Sequence, residues 1–162
     1  KSIFLITISQ YNLPIMKELL YLKDDQIKDF IQLLFYAYRE TFSDPREILA
    51  KNSFGPAHLR AINLIERNPG TNLGELMYQL KITKQSLNRV LRDLLKSKMI
   101  KQIKDQEDTR KKNLFLDKDG KIFFDKIYDT QKKRIFNALK NSEPGSVIKF
   151  KEVLNRIING KN

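Results

Sequence analysis

Residues 71–97 read Thr71-Asn72-Leu73-Gly74-Glu75-Leu76-Met77-Tyr78-Gln79-Leu80-Lys81-Ile82-Thr83-Lys84-Gln85-Ser86-Leu87-Asn88-Arg89-Val90-Leu91-Arg92-Asp93-Leu94-Leu95-Lys96-Ser97. The pattern is two short helices joined by a tight turn. Thr71 is placed to cap the first helix, whose apolar face is Leu73, Leu76, Met77 and Leu80. Lys81, Ile82 and Thr83 make the turn. Thr83 suits the N-cap of the second helix, its hydroxyl within reach of the N–H of Gln85 or Ser86. Leu87, Val90, Leu91, Leu94 and Leu95 recur at helical spacing and define a buried face. Lys84, Gln85, Ser86, Asn88, Arg89 and Arg92 are left facing outward.

That outward face begins at a helix N-terminus, where the dipole and free N–H groups favour a phosphate. It carries amides, a hydroxyl and guanidinium groups, the groups that read base edges and phosphates in a major groove. A helix-turn-helix presents its second helix in this way, N-terminal residues first. The alternative is a solvated face on an ordinary helical hairpin.

The residues after Ser97 bear on that choice. Residues 99–104 alternate as a short strand, and residues 113–116 as its antiparallel partner, with Leu114 and Leu116 on one face. Between them, residues 105–112 are polar and end in Arg110, Lys111 and Lys112. A hairpin placed after a helix-turn-helix is a wing, whose tip reaches a minor groove, where arginine is favoured. A lone charged hairpin is otherwise a solvated loop.

Charge points the same way. The 162 residues carry a formal net charge of +12, and the pI is about 9.8. Residues 81–112 hold eleven Lys/Arg against four Asp/Glu, more than half of the excess. A balance of that size favours a polyanionic partner, either nucleic acid or an anionic membrane surface. The basic helix opposes a core-type apolar face and the chain has no Trp, so a membrane-surface role is the weaker choice. Without cysteine there is no disulfide and no thiolate chemistry. With His58 the only histidine, no metal site is expected. No cofactor is expected either. No apolar run approaches the length of a membrane span, and no signal-peptide cleavage site is visible, so a cytoplasmic location is expected.

The rest of the chain is helical in pattern. Residues 1–15 are β-branched and apolar up to the break at Tyr11-Asn12-Leu13-Pro14, and are set aside as an N-terminal extension of unknown role. Residues 24–42 form a helix with an apolar face wide enough to be buried on more than one side. Pro45 to Asn52 adds one or two turns. A helix follows over 56–67, with Pro56 at its first position and Asn68-Pro69-Gly70 as its stop. Beyond the hairpin, Asp117-Lys118-Asp119-Gly120 opens a long helix to about 140. Glu143-Pro144-Gly145 is a break, and a last helix spans about 146–159. The fold class is therefore mainly α with a small β-hairpin: a winged helix-turn-helix flanked by apolar helices.

This order resembles the MarR family of winged-helix transcription regulators over roughly residues 24–158. The most specific match is Asp108-Thr109-Arg110, followed by Leu114-Phe115-Leu116-Asp117-Lys118-Asp119-Gly120, which is similar to the family's wing signature. Asp117 stands where threonine is usual; both are good N-caps. Tyr36-Ala37-Tyr38-Arg39, Gly55-Pro56-Ala57-His58 and the run from Ile82 to Leu87 resemble its PetP-type subgroup.

The resemblance implies a homodimer on double-stranded DNA, held by an N-terminal helical region (16–54) and a C-terminal one (118–162). The winged helix-turn-helix (55–117) lies between them. It implies recognition helices in successive major grooves and wings in minor grooves. The implied DNA-binding residues are Thr83, Lys84, Gln85, Ser86, Asn88, Arg89, Arg92, Asp108, Arg110, Lys111 and Lys112, with Asp108 orienting Arg110. It also leaves open a small anionic aromatic ligand near Tyr36, Tyr38 and His58; the other reading makes these packing residues with satisfied polar tips.

The main competitor is a basic nucleic-acid-binding protein without a specific site, architectural or RNA-binding, which competition against random DNA distinguishes. An enzyme is disfavoured: no Gly-rich phosphate loop or nucleophile motif is present, and the carboxylates are scattered.

Overall fold

The computed structural model describes residues 20–108 and 110–160; the proposed extension at 1–15 and Thr109 of the wing motif lie outside them. The chain divides into two compact units at the Thr41–Phe42 junction. Among the described residues the first long helix, α1 (Asp24–Ser43), opens with Asp24 and Asp25, which complement the dipole. None of its side chains is buried, and Ile27, Phe30, Ile31, Leu33, Phe35, Tyr36 and Tyr38 stand exposed.

The second unit opens with α2 (Arg46–Lys51), one and a half turns that bury Leu49. Then α3 (Pro56–Arg67) starts with Pro at its first position, where a missing N–H costs nothing, and buries Leu59, Ala61, Ile62 and Ile65. Asn68-Pro69-Gly70 ends it, Gly70 taking a φ of 89° that glycine adopts without penalty.

Here the structure corrects the expected cap of the next helix. Thr71 is not the N-cap of α4 (Leu73–Leu80); Asn72 is, its side chain accepting from the Glu75 N–H at 3.1 Å. Thr71 instead bridges to the wing: the Leu114 N–H donates to the Thr71 carbonyl at 2.8 Å, and the Gly70 N–H to the Leu114 carbonyl at 2.9 Å. Its hydroxyl donates to Glu75 at 2.8 Å, and the Asn72 N–H reaches the same carboxylate at 3.1 Å. Those bonds, the Thr71 hydroxyl first, hold the Glu75 carboxyl below its ordinary range. The Thr71 hydroxyl acts as a donor to Glu75, and Asn72, the residue next to the first helical one, supplies the cap.

Lys81 closes α4 in a left-handed conformation, and α5 (Lys84–Lys96) follows, burying Leu87, Val90, Leu91 and Leu94. The two strands, β1 (Ile100–Lys104) and β2 (Lys112–Leu116), pair antiparallel with Ile100 opposite Leu116 and Gln102 opposite Leu114. Leu114 is buried and Leu116 partly so. Next, α6 (Lys118–Lys140) is capped by Asp117, whose carboxylate accepts from the Lys118 N–H at 3.0 Å. The last helix, α7 (Pro144–Asn159), begins at Pro144, two residues earlier than its apolar pattern suggests, and ends at left-handed Gly160. Pro144 at the first helical position starts the helix; it does not break it.

One core joins α2 through α6 and the hairpin; α7 adds no buried side chain to it. Leu59, Ile62 and Ile65 of α3 meet Leu76, Leu87, Leu94, Leu114 and Ile127, all essentially inaccessible. Burying such side chains contributes about 1.5–3 kcal/mol each, which rigidly seats α5 and the hairpin on α3. No described helix is long and apolar enough to cross a membrane.

Candidate nucleic-acid interface

Helix α5 sets the first part of the site. The Thr83 hydroxyl accepts from the Ser86 N–H at 3.2 Å and donates to the Ser86 hydroxyl at 3.0 Å. These two residues thus fix the start of the helix. Lys84, Gln85, Asn88, Arg89 and Arg92 are exposed, as the spacing requires once Leu87, Val90, Leu91 and Leu94 are buried.

The hairpin sets the second part. The Arg110 N–H and its Nε–H each donate to one Asp108 oxygen at 3.1 Å. The guanidinium is held at its root while its side chain stays 90% exposed. The turn itself is built on Asp105, a residue the sequence reading did not single out. One Asp105 oxygen accepts from the N–H groups of Glu107 (3.0 Å) and Asp108 (2.9 Å), and the other from the Asn113 amide (2.9 Å). Those bonds, the Asp108 N–H foremost, pull the Asp105 carboxyl below its usual range. The signal was present: an Asp followed by polar residues between two strands suits an Asx-turn.

The two parts converge. An open groove of about 1040 Å³ runs between α5 and the hairpin. Asn88, Arg92 and Lys96 wall one side, Arg110, Lys111 and Lys112 the other, and Asn72, Leu73 and Gly74 at the start of α4 close an end. Five cationic side chains and one helix N-terminus therefore face one space, which suits a phosphate backbone. Thr83, Lys84, Gln85, Ser86 and Arg89 lie along the exposed side of α5, outside the groove walls. Among the described residues, no group of three or more His, Asp or Glu side chains is arranged to hold a metal ion.

The three residues considered for a ligand fall in different surroundings. Tyr36 and Tyr38 belong to the first unit and His58 to the second. The Arg39 guanidinium lies 4.8 Å from the Tyr36 ring centre, and Phe35 packs beside the ring. His58 has protein partners at both nitrogens: the Gly55 N–H donates to Nδ1 at 3.1 Å, and Nε2 lies 3.2 Å from an Asp93 oxygen.

Comparison with known proteins agrees with this geometry. The MarR family model matches residues 53–111, from the start of α3 to the wing. The HTH-type transcriptional regulator PetP of Rhodobacter capsulatus is 37% identical over 136 residues, 84% of this chain and 82% of that protein. The chain belongs to the MarR family. As a MarR-family protein it is a DNA-binding transcriptional regulator, not an enzyme. Its winged helix-turn-helix fold is shared with solved structures of low identity. Streptococcus pneumoniae FabT in complex with DNA gives a TM-score of 0.70 at 14% identity, over 85% of this chain and 96% of that one. NadR in complex with 4-hydroxyphenylacetate gives 0.67 at 22% identity, over 76% of this chain and 88% of that one.

Proposed function

We propose that this MarR-family regulator binds a pseudo-palindromic duplex as a homodimer, with α5 in the major groove and the wing in the adjoining minor groove. The observation that carries the reading is the basic groove shared by α5, the hairpin and the start of α4. Gln85, Asn88 and Arg89 read base edges; Arg92, Lys111, Lys112 and Lys84 contact phosphates; Arg110, held by Asp108, enters the minor groove. Thr83 and Ser86 hold the end of α5 that enters first. Functionally the chain then divides into residues 16–54 and 118–162 for dimerisation and 55–117 for DNA.

Dimerisation is supported by apolar side chains that remain exposed on α1 and, separately, on α6 and α7, where Ile135, Phe136, Leu139, Ile148, Phe150 and Ile157 stand open to solvent. Exposed apolar surface of this extent marks an association site. A small anionic aromatic ligand remains part of the proposal, with Tyr36 and Tyr38 as its candidate contacts, since both His58 nitrogens are already engaged. Selection of bound duplexes from a random pool tests the reading. Enrichment of two-fold-related half-sites about one helical turn apart supports it; binding without enrichment favours a non-specific basic protein.

A further inference from the structure

We propose that His58 and Asp93 form a latch that positions α5 for DNA recognition, a role that rests on the DNA-binding reading above. A backbone N–H can only donate, so the Gly55 N–H at 3.1 Å requires a bare lone pair on His58 Nδ1. The proton of the neutral ring is then on Nε2, which donates to Asp93 Oδ2 at 3.2 Å. One imidazole thereby satisfies an orphan N–H at the start of α3 and holds a carboxylate of α5, 35 positions away.

The ring cannot easily turn away. Phe54 stacks on it at 5.0 Å and 22°, and Phe123 of α6 meets Phe54 edge-on at 5.6 Å. Phe54 and Phe123 are buried, and the His58 side chain is 14% exposed. A contiguous stack therefore runs from α6 through Phe54 and His58 to α5. Asp93 is the one acidic residue in α5, a helix otherwise built to approach an anion. Its charge opposes DNA, and the latch accounts for its presence there.

The test is affinity for a selected operator duplex in the full chain. Asp93→Asn and Asp93→Ala remove the same negative charge, but only asparagine keeps an acceptor for Nε2–H. Electrostatics alone predicts that both bind more tightly. The latch predicts that Asp93→Asn binds at least as well as wild type and that Asp93→Ala binds about fivefold more weakly, the equivalent of one lost hydrogen bond. His58→Gln should stay within about twofold of wild type, because glutamine at this position accepts from the same backbone N–H and donates onward. Equal or tighter binding by Asp93→Ala overturns the proposal. Should wild type prefer no duplex, the DNA reading fails by itself. The latch is then judged in the free protein from the nitrogen-15 shifts of His58, where a neutral ring protonated on Nδ1 overturns it.

Discussion

Arg134 and Asp44, 90 positions apart, form a two-point ion pair: Nε lies 2.8 Å from one carboxylate oxygen and Nη2 2.7 Å from the other. The pair ties the far half of α6 to the turn that precedes α2. The Arg134 hydrogen bond holds the Asp44 carboxyl below its ordinary range, against the opposing effect of burial. A lowered folded-state value means the stabilisation is complete above the unfolded carboxylate value and is lost as pH falls through the folded one. The Arg134 side chain is 45% exposed, which limits the pair to about 1 kcal/mol. Arg134→Gln should lower the melting temperature by about 2–4 °C at neutral pH, and the difference from wild type should shrink in acid. An unchanged difference down to strongly acidic pH would show that the pair contributes nothing.

Gly120 packs against the backbone at the start of β1. A Cβ there would stand 1.8 Å from the Met99 carbonyl oxygen, the acceptor that the Asp117 N–H uses at 3.0 Å. The obstruction is backbone and cannot rotate away. Gly120→Ala should cost at least about 2 kcal/mol in urea denaturation. A variant as stable as wild type would mean that α6 can slide on the hairpin.

The order of the wing rests on Asp105 as much as on Asp108. Asp105→Ala should speed hydrogen exchange at the Glu107 and Asp108 amides and weaken binding across many duplex sequences, as Arg110→Ala should. Asp108→Ala should reproduce part of the Arg110→Ala effect. Because the bonds to Asp105 depress its carboxyl, its contribution is intact above the ordinary carboxylate value and disappears as pH falls through the lowered one. Unchanged exchange in Asp105→Ala would remove it from the account of the wing.

Local chemistry made much of this legible. Helix α3 begins and ends at the expected residues because Pro56 and the Asn68-Pro69-Gly70 stop act through the backbone next to them. Thr83 caps α5 as its hydroxyl and position imply. The same reasoning misplaced the cap of α4 at Thr71, although Asn72 with Glu75 three residues on is a capping-box signal; only the bridge from Thr71 to Leu114, 43 positions later, has no local sign. The His58–Asp93 contact and the Arg134–Asp44 pair were invisible for the same reason, being properties of packing between helices. Gly120 was visible as part of a motif, but its cause, the Met99 carbonyl, appears only in three dimensions.

The proposed dimer rests on the exposed apolar faces. Sedimentation at micromolar concentration should give twice the 19.1 kDa chain mass, with self-complementary contacts about a two-fold axis. Charged substitutions at Phe136 and Phe150, both about half exposed, should yield folded monomers with weakened operator binding. A wild-type monomer that still binds DNA tightly would contradict the dimer.

The central claim is that α5 reads sequence while the wing adds affinity. Its most direct test is the ratio of affinities for the selected operator and a shuffled duplex, measured at one salt concentration for wild type, Gln85→Ala and Arg110→Ala. The wild-type ratio should span orders of magnitude. Gln85→Ala should shrink it by about 1–3 kcal/mol, whereas Arg110→Ala should weaken both duplexes and leave most of the ratio. A wild-type ratio near one, or an Arg110→Ala protein that binds both duplexes as wild type does, would contradict the account.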